Sequence, residues 1–201
     1  MTMRNFVLVL TGAFLLTLSA CAPSRRPMPL TAELDGVSEK FSSGQIIDLK
    51  AGKAVSFDCL MDQLESVPLV FVGENHDNPE HHLIQVQVLQ GLMARYNVRT
   101  VAMEFFHRPD QGIIDEYMKG EMDETAFLER IQWSKSWGFP YHFYRPLIVQ
   151  IREKNGVLLA VNVPREVVKK VARSGLAGLS EEERSQVARE IDLNNKEHRA
   201  Y

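Results

Sequence analysis

The fold is decided by LVFVGENHDNPEHHLIQVQVLQGLMARYNVRTVAMEFFH, residues 69–107, in which apolar runs alternate between two periodicities. Residues 69–73 are apolar and rich in β-branched side chains, which predicts a short buried strand. Helical spacing follows in residues 79–96, with Asn78 as a candidate N-cap and a proline at the first helical position. Residues 100–103 predict a second strand. A strand, a helix and a second strand in this order are typical of a parallel βαβ unit.

The same alternation extends toward the C-terminus of the chain. The sequence predicts a third buried strand, VLLAV, at residues 157–161, and it predicts helices on both sides of that strand. A Ser-x-x-Glu capping box marks the start of the last helix. The predicted helices span residues 110–117, 124–132, 141–154 and 164–173, and the last one begins after Ser180.

Toward the N-terminus, two short strand-like runs at residues 45–49 and 54–57 flank Ala51-Gly52-Lys53, which predicts a hairpin. Continuous apolar strands that alternate with helices indicate a parallel sheet covered by helices. We therefore predict an α/β domain with a mainly parallel sheet flanked by helices and a small N-terminal β-hairpin.

The first residues have the features of an export signal. Arg4 precedes the apolar run at residues 6–18, and Leu18-Ser19-Ala20-Cys21 follows, which resembles the lipobox of bacterial lipoproteins. The apolar run is short for a bilayer span, which needs about 20 residues. We predict a signal peptide at residues 1–20, a lipidated Cys21 and a flexible, proline-containing tether at residues 21–44. The alternative is an ordinary secreted protein whose cysteine lies near the cleavage site by chance.

Composition narrows the classes of partner. The formal net charge is −3, which gives no electrostatic reason to expect nucleic acid. Only two cysteines are present, and if Cys21 carries lipid then Cys59 has no disulfide partner. We expect Cys59 to be a small buried side chain in a helix rather than a reactive thiol.

Polar side chains follow each of the three predicted strands. Glu74 and His76 follow the first strand, Glu104 follows the second, and residues 162–165, which include Arg165, follow the third. Because ligands bind beyond the carboxyl ends of parallel strands, we expect these side chains to form one site. Carboxylate and imidazole groups together suit a divalent metal or acid–base chemistry. The alternative for His76 is a role in capping the following helix.

A second cluster, WSKSWGFPYHFYRP at residues 133–146, combines aromatic rings with polar groups. Tyr141, His142 and Tyr144 could offer an oxygen or a nitrogen to iron, and Arg145 could pair with a carboxylate. The alternative, which we favour for the two tryptophans, is a segment whose rings pack over the sheet.

Four stretches carry a resemblance to a known family. They are VFVGENHDNPEHHLIQ at residues 70–85, VAMEFFHRP at residues 101–109, YRPL at residues 144–147 and VNVPRE at residues 161–166. Together they resemble the ChaN-type haem-binding lipoproteins, a branch of the Tiki superfamily that also includes the TraB and erythromycin-esterase-like groups. The resemblance covers residues 45–201, which we take as one domain, and it implies that the chain continues beyond Tyr201 and is truncated here.

The resemblance implies haem as the cofactor, with two stacked haems held between two protomers and tyrosine as the iron ligand. Elsewhere in the superfamily the positions that match Glu74, His76 and Glu104 serve hydrolysis, in some members with a divalent metal such as Mn, Co or Zn. We therefore expect a lipid-anchored haem-binding protein for haem or iron uptake, forming a haem-linked homodimer, at the outer membrane facing the periplasm. The alternatives are a metal-dependent hydrolase that uses those three residues, and a structural lipoprotein with a vestigial site.

Overall fold

The computed structural model describes residues 31–32, 40–192 and 194–196. The chain divides into two compact units, Met1–Phe57 and Asp58–Tyr201, and each is described by itself below. The predicted signal peptide, Cys21 and most of the predicted tether lie outside the described residues.

The first unit contains two pairs of antiparallel strands. β1 (Thr31–Ala32) pairs with β2 (Phe41–Ser42), so strand pairing occurs within the residues predicted to be a tether. β3 (Ile46–Asp48) and β4 (Lys53–Val55) form the predicted hairpin. Oδ1 of Asp48 accepts hydrogen bonds from the backbone N–H groups of Lys50 and Ala51, which closes the turn.

The second unit begins within α1 (Phe57–Leu64), and residues 69–73 then run without strand pairing. The prediction of a strand in residues 69–73 is therefore wrong. The side chains of Leu69 and Phe71 are 63% and 87% exposed. An apolar run becomes a strand only where a neighbouring chain supplies hydrogen bonds, and here the carbonyl of Val72 accepts from the Gln85 side chain instead.

Helix α2 (Pro79–Tyr96) begins and ends as its sequence predicts. Oδ1 of Asn78 accepts a hydrogen bond from the N–H of Glu80, and Pro79 occupies the first turn. Asn97 ends the helix in the left-handed conformation, at φ 53°. The helix contributes Val88, Leu89 and Leu92 to the buried residues of this unit.

The parallel sheet consists of β5 (Thr100–His107) and β6 (Val157–Asn162). The register pairs Thr100 with Val157 and Met103 with Ala160, and it shifts before His107 pairs with Asn162. The parallel sheet of the predicted fold is thus confirmed, with β5 longer than predicted. The shift allows consecutive residues Phe105 and Phe106 both to be buried.

Six further α-helices lie after α2 in the described part of the chain. They are α3 (Gln111–Met118), α4 (Glu124–Arg130), α5 (Trp133–Ser136), α6 (Tyr141–Glu153), α7 (Arg165–Ser174) and α8 (Glu181–Ser185). The predicted capping box is present at α8, where Ser180 and Glu183 bond reciprocally. The core unites the inner side chains of the sheet with aromatic and aliphatic residues of α3 to α6; its fully buried members include Ile114, Phe127, Tyr144, Ile148 and Ile151.

Within the described part of the chain, every helix is too short or too polar to cross a bilayer.

Candidate functional site

The structure brings together Glu74, His76 and Glu104. One ligand atom from each of the three side chains lies within 4.8 Å of the other two. Glu104 belongs to β5, where strand alternation turns it to the exposed face while its neighbours Met103 and Phe105 point into the core. The predicted convergence of the first two strand-end positions is therefore present in the structure, although residues 69–73 form no strand.

A turn before α2 holds Glu74 and His76 in place. The N–H of Asn78 donates to the carbonyl of Asn75, and the N–H of Asn75 donates to Nδ1 of His81. Asn78 is the residue that caps the helix, so the capping alternative for His76 does not apply. The His76 ring is left to face the two carboxylates.

Glu74 is the buried member of the cluster, with 8% of its side chain exposed. Its Oε1 lies 2.7 Å from Nδ1 of His76 and accepts a 3.0 Å hydrogen bond from the hydroxyl of Tyr144. Its Oε2 lies 2.9 Å from Nδ1 of His82, but the geometry makes no hydrogen bond, and the oxygen is buried. A buried carboxylate oxygen without a hydrogen bond has lone pairs available for a cation.

His76 and Glu104 form the open side of the cluster. Their side chains are 36% and 64% exposed, and Nε2 of His76 lies 3.9 Å from Oε1 of Glu104. The rings of Trp137 and Phe139 contact the imidazole, with centroids 4.7 and 4.9 Å away. The cluster therefore combines a buried carboxylate, aromatic rings packed against the imidazole and a side that is open to solvent.

Several neighbours of this cluster were not predicted from the sequence. His82 is 3% exposed, and its Nε2 lies 3.2 Å from the carbonyl oxygen of His76. Packing over the sheet was the favoured expectation for Trp137, and neither Trp137 nor Phe139 was expected to contact His76. At the third predicted strand exit, Oδ1 of Asn162 accepts a hydrogen bond from the N–H of Val163, and Arg165 is exposed on α7.

The four residues predicted to contact haem all lie on α6 but divide between two faces of it. Tyr141 and Tyr144 point inward; Tyr144 is fully buried, and the hydroxyl of Tyr141 is enclosed without a hydrogen bond. His142 and Arg145 are exposed. Nε of Arg145 contacts both carboxylate oxygens of Glu124, at 2.9 and 2.7 Å. The helical period explains the division, because each pair is spaced by three residues.

Burial raises the pKa of both tyrosines. For Tyr141 the loss of solvent is the largest cause, and the nearby Tyr117 adds to it. For Tyr144 burial again dominates, and its hydrogen bond to Glu74 raises the pKa further while Trp137 lowers it. Both hydroxyls are therefore neutral at physiological pH, and neither presents a phenolate at the surface.

The prediction that the tryptophans pack over the sheet agrees with the position of Trp133. It is 7% exposed, its Nε1 donates a 2.8 Å hydrogen bond to the carbonyl of Phe139, and its ring contacts Phe105 and Tyr144.

Comparison with known proteins identifies the family of this chain. The family model described as haem-binding uptake, Tiki superfamily, ChaN matches residues 60–201. A solved structure described as cofacial haem binding to ChaN of Campylobacter jejuni is 20% identical, with a TM-score of 0.54. That match covers 64% of this chain and 52% of the other, so the chain spans about half the length of the solved protein. Comparison with curated proteins found no match. The chain belongs to the ChaN haem-binding uptake family of the Tiki superfamily.

Proposed function

We propose that this protein binds haem and serves haem or iron uptake as a lipid-anchored protein of the cell envelope. The observation that carries the proposal is membership of the ChaN haem-binding uptake family over residues 60–201. The fold shared with ChaN of Campylobacter jejuni supports it. The signal peptide, the lipid on Cys21 and the outer-membrane location facing the periplasm are part of the same proposal and rest on the sequence of residues 1–21.

The exposed side chains of α6 suit haem better than its buried ones. His142 offers an accessible imidazole nitrogen for iron, and Arg145 lies one helical turn away, where it can exchange Glu124 for a haem propionate. Tyr141 and Tyr144 can ligate iron only if α6 rearranges, because their hydroxyls are buried and protonated. When bound, haem would supply the iron centre, and the chain would supply its ligand, its propionate contact and its apolar surroundings.

A haem titration followed by absorbance tests this proposal. The wild type is expected to give a saturable Soret band, and His142→Ala and Arg145→Ala are expected to weaken it. His81→Ala is the matched control, since His81 contacts the backbone of Asn75 before α2 and lies outside the exposed face of α6. A wild type that produces no saturable band would refute haem binding.

A second function is favoured by the Glu74–His76–Glu104 cluster, namely divalent cation binding for hydrolysis. One nitrogen and two carboxylates within 4.8 Å suit Mn, Co or Zn: Nε2 of His76 and the open carboxylate of Glu104 would face the cation, and Oε1 of Glu74, 2.7 Å from Nδ1, would hold the imidazole. A cation held there would polarise a substrate oxygen or lower the pKa of a bound water.

Elemental analysis of the purified protein separates the two functions. If the cluster binds a cation, the wild type retains Mn, Co or Zn, and both Glu74→Ala and His76→Ala lose it, because His76→Ala removes one of few ligands and Glu74→Ala removes the carboxylate that holds that ligand. A metal-free wild type that binds haem refutes the hydrolase. A protein that retains metal and binds no haem refutes the haem carrier.

A further inference from the structure

The hydrogen bonds of Glu74 connect the candidate cation site to the core. Tyr144 on α6 donates a 3.0 Å hydrogen bond to Oε1 of Glu74 and so fixes a carboxylate that lies in the turn before α2, whereas Nδ1 of His82 on α2 lies 2.9 Å from Oε2 without a hydrogen bond. Glu74 in turn faces Nδ1 of His76 at 2.7 Å. The buried tyrosine is thus linked through one carboxylate to the exposed imidazole.

This arrangement selects one form of the His76 ring. With Nδ1–H donated to Glu74, Nε2 keeps its lone pair and points toward Glu104. Histidines that bind metals in proteins are usually held in this way, with a carboxylate on the nitrogen that does not bind the metal. The rings of Trp137 and Phe139 restrict the remaining rotation of the imidazole.

We propose that Tyr144 is the positioning residue of this cation site: its hydroxyl fixes Glu74, and Glu74 orients His76 so that Nε2 faces the cation. The inference rests on the second function proposed above. Tyr144 does not touch the cation, because its side chain is fully buried and its single proton is donated to Glu74. Its role is to hold a carboxylate that would otherwise rotate within the turn before α2.

Removing the hydroxyl should weaken the site without removing a ligand. Loss of a group that orients a metal ligand lowers metal affinity by about 10- to 100-fold. Tyr144→Phe keeps the ring and its contacts with Phe105 and Trp133, so the core packing is retained. The affected property is the orientation of Glu74 and His76.

Titration of the full chain with Co²⁺, read by calorimetry and by the visible absorption of the bound ion, tests the proposal. Tyr144→Phe is expected to bind Co²⁺ about 10- to 100-fold more weakly and to change its absorption spectrum. Tyr117→Phe is the matched control: Tyr117 is 2% exposed, and its hydroxyl also donates to a carboxylate, Oε2 of Glu124 at 3.3 Å, away from the site. It should bind Co²⁺ as the wild type does.

The outcomes separate the inference from the function on which it rests. A wild type that binds no Co²⁺ refutes the cation site itself. Equal affinity and equal spectra for the wild type and Tyr144→Phe refute the positioning role while the site stands. Nitrogen NMR of the His76 ring in the metal-free wild type needs no variant: a proton on Nδ1 supports the arrangement, and a neutral ring protonated on Nε2 overturns it.

Discussion

Oε1 of Gln111 accepts a 2.8 Å hydrogen bond from the backbone N–H of Ala160, in the middle of β6. Nε2 of the same side chain donates to the carbonyl of Leu158 at 2.9 Å. A side-chain amide at the start of α3 thus takes the place of a neighbouring strand along the outer edge of β6. Such an edge otherwise exposes unpaired backbone groups that can pair with another chain.

Gln111→Met should destabilise the fold, because both backbone groups of β6 lose their partners. We expect the free energy of unfolding to fall by about 1–3 kcal/mol, measured by chemical denaturation. Gln90→Met, at an exposed position of α2, is the control and should change it by no more than about 0.5 kcal/mol. Equal effects of the two substitutions would show that the amide contributes nothing to the sheet edge.

Tyr141 and Tyr144 should give the protein a characteristic alkaline pH dependence. Both pKa values are raised above 10.0 in the folded chain, chiefly by burial. Because these pKa values are raised by folding, the two protonated hydroxyls favour the folded state. Their contribution to the free energy of unfolding is fully present below pH 10 and is lost as the pH rises toward the folded pKa, since the unfolded chain releases these protons first. Phenolate absorbance should show two late-titrating tyrosines, which disappear in Tyr141→Phe/Tyr144→Phe. Titration of all tyrosines near pH 10 would contradict the burial of these hydroxyls.

Local sequence pattern predicted the elements that depend on local bonds. The caps of α2, the β3–β4 hairpin and the capping box of α8 each involve residues a few positions apart, so their signals are contained in short motifs. The meeting of Glu74 with Glu104 was also predicted, from two predicted strand ends, although residues 69–73 form no strand and Glu104 lies within β5.

Long-range contacts could not be predicted in the same way. The bond between Tyr144 and Glu74 joins positions 70 residues apart, and no short motif contains both partners. Residues 69–73 show the converse case: their apolar composition is that of a strand, but a strand also needs a hydrogen-bonded neighbour, which their sequence does not encode.

Two phenylalanines, one in the core and one in residues 69–73, differ in burial, and truncating each tests how much that burial contributes to stability. Phe127 is fully buried and stacks on Tyr117 with ring centroids 4.1 Å apart, whereas Phe71 is 87% exposed. Phe127→Ala should lower the free energy of unfolding by about 3–5 kcal/mol, by loss of burial and creation of a cavity. Phe71→Ala should change it by no more than about 0.5 kcal/mol. A large effect at Phe71 would mean that this ring is covered in solution.

The proposed lipidation of Cys21 predicts how the protein partitions between detergent and water. Acyl chains contribute about 0.8 kcal/mol per buried CH₂, so the wild type expressed in a bacterium should enter the detergent phase of Triton X-114. Cys21→Ser should remove the acylation site and move the protein to the aqueous phase. Cys59→Ser is the control, since it changes the other cysteine and leaves the signal intact. A wild type found in the aqueous phase would refute the anchor.

Haem binding, if the proposed function holds, should be coupled to self-association. A porphyrin is a flat apolar plate, and a surface site on α6 would leave one of its faces in water, which a second protomer could cover. If haem stabilises the dimer, the dimer binds haem more tightly than the monomer does. Haem affinity should therefore rise with protein concentration. Sedimentation velocity should show a dimer with haem and a monomer without it.

Four variants of α6 assign the residues responsible. His142→Ala and Arg145→Ala should weaken both the Soret band and the dimer, because these are the exposed members of the predicted set. Tyr141→Phe and Tyr144→Phe should change neither, since each removes only a buried hydroxyl. If instead a tyrosine variant shifts the Soret band, α6 must rearrange to expose that hydroxyl, and haem binding would weaken at low pH because the tyrosine must lose its proton to ligate iron. A loaded protein that stays monomeric would rule out the linked dimer.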